Sequence, residues 1–211
     1  MGAPDLIVNW VQHGFDLRFE HPHRVAATAP ANRIPLEDKG KVEWTDKEIQ
    51  RLLEVGALRR EKKENILEFS PLQLEPKKGP KKFRLVVDMR RLNTFLVRKR
   101  FKYEGLRTIL RLVGKGFWMW SLDLAQGYHH LSMRVDAQKY LGIQWKGVTH
   151  VYTVLPFGLA TSPWAFTKLI KVPVTFFWRN GVRMLAYLND LFFTAPTREL
   201  ALEQREFVLC T

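Results

Sequence analysis

Cysteine is nearly absent. Cys210 is the only one in 211 residues. One thiol cannot close an intrachain disulfide, and this suits a reducing compartment. No uninterrupted apolar run is long enough to span a bilayer. The start, Met1-Gly2-Ala3-Pro4-Asp5, lacks the basic opening and apolar core of a secretory signal. The expectation is a cytoplasmic or nuclear protein with no membrane partner. Acidic residues are also scarce: 21 Asp and Glu stand against 34 Lys and Arg, a formal net charge of +13. That excess calls for an acidic partner. Nucleic acid is the default, because neutralised phosphates release counterions. An anionic membrane surface fits less well, since no long basic amphipathic helix stands out. There is no internal repeat and no low-complexity tract.

What is present is globular, 46% hydrophobic and 26% charged. The length allows one sizeable core or two small ones. The chain is organised around residues 184–193, where apolar residues run up to Asn189-Asp190 and apolar residues leave it. The pattern predicts a β-hairpin with the polar pair at its turn. A second carboxylate, Asp123, interrupts the aromatic-rich run Trp118-Met119-Trp120-Ser121-Leu122, which predicts a buried strand. A charge inside such a run is exposed at an edge, paired or metal-bound. Either Asp alone is an ordinary structural residue; the two together, with what lies between them, are not.

Three motifs occur in order: Ser121-Leu122-Asp123-Leu124-Ala125-Gln126-Gly127-Tyr128, then Leu155-Pro156-Phe157-Gly158-Leu159-Ala160-Thr161-Ser162-Pro163, then Tyr187-Leu188-Asn189-Asp190. The chain resembles a reverse transcriptase, closest in flavour to retrotransposon enzymes of the DIRS-like type. The motifs are similar to the family's first palm carboxylate motif, its nucleotide and template contact, and its Tyr-x-Asp-Asp hairpin. Asn189 departs from the family pattern, which has Asp there.

The resemblance implies an α+β fold with fingers and palm: an antiparallel palm sheet backed by helices, without a thumb. The expected divisions are an N-terminal connector over 1–44, fingers over 45–107, a first palm part over 108–133, a fingers insertion over 134–155 and a second, truncated palm part over 156–211. It covers residues 47–209, so the chain reads as a piece of a larger element-encoded polyprotein whose thumb and RNase H lie elsewhere.

Along the chain, residues 6–11 predict a short helix, and Pro22, Pro30 and Pro35 an extended connector. His21 and His23 flank Pro22 with no carboxylate or Cys cluster beside them, which is a loop rather than a metal site. Thr45-Asp46-Lys47-Glu48 reads as a capping box opening a helix that stops at Gly56. Residues 59–64 read as a charged loop or solvated face. Residues 69–74 and 83–87 predict two strands joined by a Lys-rich tip. Residues 141–145 and 148–155 predict a hairpin turning near Lys146-Gly147, after a short helix over 135–140. His129 and His130, read as strand neighbours, face opposite sides, one packed and one exposed. Ser162-Pro163 opens a helix that Pro173 should kink or end. Thr197 caps a last helix over 198–209. Between Lys77 and Lys115, Phe95, Phe101 and Tyr103 are interleaved with Arg and Lys, a pattern suited to sequence-neutral binding of a template.

The chemistry that the resemblance implies is template-directed nucleotidyl transfer from a dNTP to a primer 3′-OH, with RNA or DNA template-primer as partner. Two Mg²⁺ ions (or Mn²⁺) about 3.5–4 Å apart would offset charge on the phosphoryl oxygens. Asp123 would bridge both ions and Asp190 would assist. Arg84 and a neighbouring Lys, Lys77 or Lys78, would clamp the triphosphate. Tyr128 would gate the sugar, and Phe157 and Gly158 would line the nucleotide and template side. Asp88, Arg90 and Asn93 keep the family's spacing and equally suit buried hydrogen-bond partners. Asn189 offers a carbonyl oxygen but no charge, and this predicts an impaired enzyme. The alternative is a catalytically inactive, basic nucleic-acid-binding remnant of a retroelement polymerase.

Overall fold

The computed structural model describes residues 4–22, 29–77, 83–101 and 106–211, and the chain divides into two compact units. The first comprises residues 100–127 and 163–211, the second residues 4–99 and 128–162. Among the described residues no helix is long and apolar enough to cross a membrane.

The second unit begins with helix α1 (Asp5–His13) and helix α2 (Lys39–Glu54). Its main sheet has the order β1 (Leu58–Arg60), β6 (Val148–Tyr152), β5 (Gly142–Trp145), all antiparallel. Strands β2 (Leu72–Pro76) and β3 (Phe83–Val87) form a separate antiparallel ribbon. Short helices α3 (Arg90–Asn93) and α5 (Val135–Gln138) complete the unit. The β5–β6 turn is Lys146-Gly147 with φ of 47° and 79°. Two positive φ values make the type I′ turn that matches strand twist. Asp46 on α2 holds this hairpin end, accepting from Trp145 Nε1 at 2.8 Å and Lys146 Nζ at 2.6 Å.

Several expectations change here. Helix α2 starts at Lys39, not at Thr45. Its N-cap is Asp38, whose carboxylate accepts from Lys41 N at 3.1 Å. Thr45 is fully buried inside the helix and donates its hydroxyl to the Lys41 carbonyl. With the helix already begun seven residues upstream at Asp38, Thr45 lies in its interior and has no free terminal amide to cap. Residues 58–60 form a strand rather than a loop, because buried Leu58 anchors them beside β6. His129 and His130 sit in a 3₁₀ turn (Gly127–His130), not a strand, with His129 half-buried and His130 exposed. Of the lysines in the Lys-rich tip, only Lys77 is described, and it is exposed; Lys78 lies outside the described residues, as do His23 and Tyr103.

The first unit holds helix α4 (Leu106–Leu112), most of helix α6 (Ser162–Arg179), helix α7 (Arg198–Cys210) and a sheet ordered β4 (Trp118–Asp123), β8 (Asp190–Ala195), β7 (Arg183–Tyr187). All pairings are antiparallel. Its core is Val174 and Phe177 of α6 with Val182, Met184, Leu191 and Phe193. Trp120 stacks on Phe193 with ring centres 3.8 Å apart. Each such side chain stabilises the fold by about 1.5–3 kcal/mol when fully buried. Thr197 caps α7, accepting from Leu200 N at 3.2 Å.

Helix α6 does not end at Pro173 but runs through it to Arg179. Buried Phe166, Val174 and Phe177 lie on both sides of the proline, and this apolar stripe outweighs the one main-chain bond that Pro removes. Strand β4 is one-sided rather than buried. Trp120, Leu122 and Leu124 pack on the core, while Trp118, Met119, Ser121 and Asp123 are exposed.

Candidate active site

The alternation along β4 and β8 decides where the carboxylates go. Leu122 pairs with Leu191 and Trp120 with Phe193, and these point into the core. Asp123 pairs with Asp190 and therefore points to the opposite face. A slip of one residue would drive both charges inward, so the apolar face pins the register. Directly opposed residues have Cβ atoms about 4.5–5.5 Å apart. Tyr187 pairs with Asp190 on the other side, so Tyr187, Asp190 and Asp123 form one row across three strands. Asp123 and Asp190 are both exposed.

The hairpin turn is Leu188-Asn189, and Asp190 is the first residue of β8, so the expected Asn-Asp turn moves by one position. The reason is the Tyr187–Asp190 pair, which closes the ladder ahead of the turn. Leu188 has φ of 54°, a conformation that bulky residues rarely adopt. Gln126, just after β4, has the same φ of 54°. Strained backbone thus flanks both carboxylates, as is common where a site over-determines its loops.

Asn189 ties the two loops together. Its side-chain amide donates to Asp123 Oδ1 at 2.5 Å, and its carbonyl accepts from Leu124 N at 2.8 Å. Gly127 lets this happen. A Cβ there would stand 3.0 Å from Phe166 Cζ and 3.1 Å from Asn189 Cβ. Phe166 of α6 packs against this loop because Gly127 has no side chain.

The remaining candidate residues belong to the second unit. Tyr128 is half-buried and its ring lies 4.7 Å from that of Phe157, tilted by 40°. His129 meets Phe157 edge-on at 6.0 Å. Burial, and secondarily the nearby Arg51 charge, hold the His129 pKa below its ordinary value. Gly158 has φ of 97°, and a Cβ on it would come within 2.4 Å of the Val87 carbonyl oxygen. Arg84 is exposed on β3 and registers with Glu75 on β2. Asp88 accepts from Arg90 at 2.6 and 2.8 Å and pairs with Arg33 at 3.3 Å. The Arg90 hydrogen bonds hold its carboxyl below the usual range. Glu68, fully buried and paired with Arg91, is a charged pair that no spacing in the sequence signals.

Among the described residues no cluster of three or more His, Cys, Asp or Glu could hold a metal ion. The pair Asp123 and Asp190 still fits a hard divalent cation: two opposed, exposed carboxylates on one sheet face, able to accept an ion that keeps most of its waters.

The model of the reverse transcriptase (RNA-dependent DNA polymerase) family matches residues 75–209. The chain belongs to the reverse transcriptase family. Among curated relatives, the retrovirus-related Pol polyprotein from transposon 297 of Drosophila melanogaster is 28% identical over 182 residues, 81% of this chain and 16% of that protein. The Pro-Pol polyprotein of simian foamy virus type 3 is 25% identical over 191 residues, 89% of this chain and 16% of that protein. This reverse transcriptase chain therefore spans about a sixth of either relative. Its fold is similar to that of part of the foamy viral protease-reverse transcriptase. The structure of that protein with double-stranded DNA has a TM-score of 0.69 at 23% identity, covering 97% of this chain and 43% of that one. Its complex with an RNA/DNA hybrid has a TM-score of 0.66 at 23% identity, covering 96% and 27%. The α+β fold of fingers and palm is thereby established.

Proposed function

We propose that this domain carries out RNA-directed DNA synthesis, transferring a nucleotide from a dNTP to a primer 3′-OH on an RNA or DNA template, and that Asn189 slows it. The observation that carries this reading is the register pair Asp123–Asp190 on the solvent face of the β4–β8 ladder. Residues 108–133 and 156–211 are read as palm, 45–107 and 134–155 as fingers, and 1–44 as a connector. Foamy viral relatives were solved with double-stranded DNA and with an RNA/DNA hybrid, and a net charge of +13 suits the same class of partner. The relatives are polyproteins, so a thumb and an RNase H are expected companions. A cytoplasmic or nuclear setting follows from that role.

Asp123 and Asp190 would hold Mg²⁺ or Mn²⁺. Bound there, the ions would offset charge on the attacking, leaving and nonbridging oxygens. Arg84, with Lys77 or Lys78 of the same ribbon, would bind the triphosphate as fixed cations. Tyr128, backed by Phe157, would lie under the sugar and disfavour a 2′-hydroxyl. Gly158 would let the main chain approach the nucleotide and template. Asn189 orients Asp123 through its amide but adds no charge. Loss of that charge is expected to slow turnover on the order of a hundredfold to ten-thousandfold.

Primer extension on an RNA template with dNTPs and Mg²⁺ or Mn²⁺ tests the reading. The expected result is slow incorporation by the native chain, at least a hundredfold faster incorporation by Asn189→Asp, and none by Asp123→Ala. Incorporation unaffected by Asp123→Ala, or its absence from both native chain and Asn189→Asp, overturns the reading.

A further inference from the structure

The Phe157–Ala160 turn is held from a distance by one side chain. Asn93, the last residue of α3, uses both ends of its amide. Nδ2 donates to the Gly158 carbonyl at 2.8 Å, and Oδ1 accepts from Ala160 N at 2.8 Å. The two partners are 65 and 67 residues away in sequence. An amide is the side chain suited to this, since it offers a donor and an acceptor side by side. Two further contacts fix the same turn. Ser162 Oγ donates to the Pro156 carbonyl at 2.8 Å, and Gly158 rests so close to the Val87 carbonyl that no side chain fits between them. Phe157 projects from this turn. It is 45% exposed, so little packing of its own holds the ring apart from Tyr128 and His129.

We propose that Asn93 is a positioning residue. By clamping Gly158 and Ala160 it fixes Phe157, and through Phe157 the ring of Tyr128, and so it sets how strongly the domain prefers deoxyribonucleoside over ribonucleoside triphosphates. This rests on the reading of Tyr128 as the aromatic under the sugar. The turn that Asn93 holds is short; buried Leu159 and the approach of Gly158 to Val87 anchor its middle, and the Asn93 amide sets the main chain on either side of Leu159. With one amide bond lost, the Phe157 ring gains freedom, and Tyr128 loses the neighbour that limits its tilt. A 2′-hydroxyl is then met by a ring that can yield.

The test measures dissociation constants of dGTP and GTP in Mg²⁺ by calorimetric titration and compares their ratio. Asn93→Asp keeps the acceptor for Ala160 N but sets an oxygen against the Gly158 carbonyl. The expected ratio falls by about tenfold, the scale of one lost hydrogen bond. Asn93→Ala is expected to do the same. Phe157→Leu leaves the clamp intact, removes the ring, and is expected to lower the ratio similarly, so the test survives if the Asn93 variants fold poorly. Thr94→Ala serves as the structural control. Thr94 Oγ1 bonds only the Arg91 carbonyl at the end of the same helix, so its loss should cost stability without changing the ratio. An unchanged ratio in Asn93→Asp or in Phe157→Leu overturns the inference, as does a Thr94→Ala ratio that falls as far. A native chain that binds both nucleotides equally overturns it too, while leaving the polymerase reading standing. A native chain that binds neither sinks both.

Discussion

Asn189 donates to Asp123 Oδ1 at 2.5 Å, across 66 residues of sequence, and so takes up one oxygen of the carboxylate that faces Asp190. The bond stabilises the ion-free site, where two opposed carboxylates would otherwise repel. It also places a hydrogen-bond donor where a cation would seek an acceptor. Replacing Asn189 with Asp reverses both effects. The variant is expected to melt below the native chain without divalent ions and to gain more from added Mn²⁺. A tenfold gain in ion affinity corresponds to about 1.4 kcal/mol under saturating ion, or roughly 3–5 °C for a chain of this size. Thermal melts with and without MnCl₂ measure it. Equal Mn²⁺ responses in the two proteins would show that Asn189 does not limit ion binding.

Gly158 carries two constraints, and a second glycine separates them. Gly158 and Gly147 both have φ beyond 75°, at 97° and 79°. A Cβ on Gly158 meets the Val87 carbonyl oxygen at 2.4 Å, whereas one on Gly147 meets nothing within 4 Å. Gly147→Ala should therefore cost only the backbone strain, about 1 kcal/mol, and Gly158→Ala at least about 1–2 kcal/mol more. Urea unfolding of both variants gives the difference. Similar costs would mean that the Val87 strand yields easily.

The carboxylates were legible because strand alternation needs only neighbouring residues: Leu122 and Leu191 inward put Asp123 and Asp190 outward. The β5–β6 hairpin was legible for the same reason, with Lys146-Gly147 at its turn. What failed was competition between local signals. Thr45 has the chemistry of a cap, but Asp38 stands upstream and takes the role. Pro173 can kink or end a helix, and it does not end α6, because Val174 and Phe177 are buried beyond it. Asn93 was legible as a hydrogen-bonding residue, but its partners, like the pairing of Glu68, were out of reach for a different reason. Their partners, Gly158, Ala160 and Arg91, are chosen by tertiary proximity, and nothing in the flanking residues announces them.

Pro173 offers a direct gain in stability. It is exposed on α6 and leaves the helix without one main-chain donor. Pro173→Ala restores that donor and touches no buried side chain, so the variant should be more stable by about 1–3 kcal/mol. Chemical denaturation checks this. A loss of stability would show that the backbone geometry set by Pro173 is needed for Val174 and Phe177 to reach the core.

Acid should weaken the second unit before it protonates the carboxylates. His150 on β6 is 4% exposed, and its Nδ1 has no hydrogen-bond partner among the described residues. Burial, then the neighbouring positive charge of Arg60, push its pKa down, against a smaller opposing effect of the nearby Val148 backbone. His129 is shifted in the same direction. A histidine whose folded pKa lies below its unfolded value of about 6.5 binds fewer protons when folded. Its contribution is therefore complete above about pH 6.5 and is lost as the pH falls toward the folded value. The depressed carboxyls of Asp46 and Asp88 act in the same sense but only further down, below their unfolded values near 4. Melting temperature should thus decline between about pH 7 and pH 5.5. His150→Leu, which fills the site without a titrating group, should flatten part of that decline, leaving the share that belongs to His129. If the variant kept the full native slope, His150 would not be the group that senses acid.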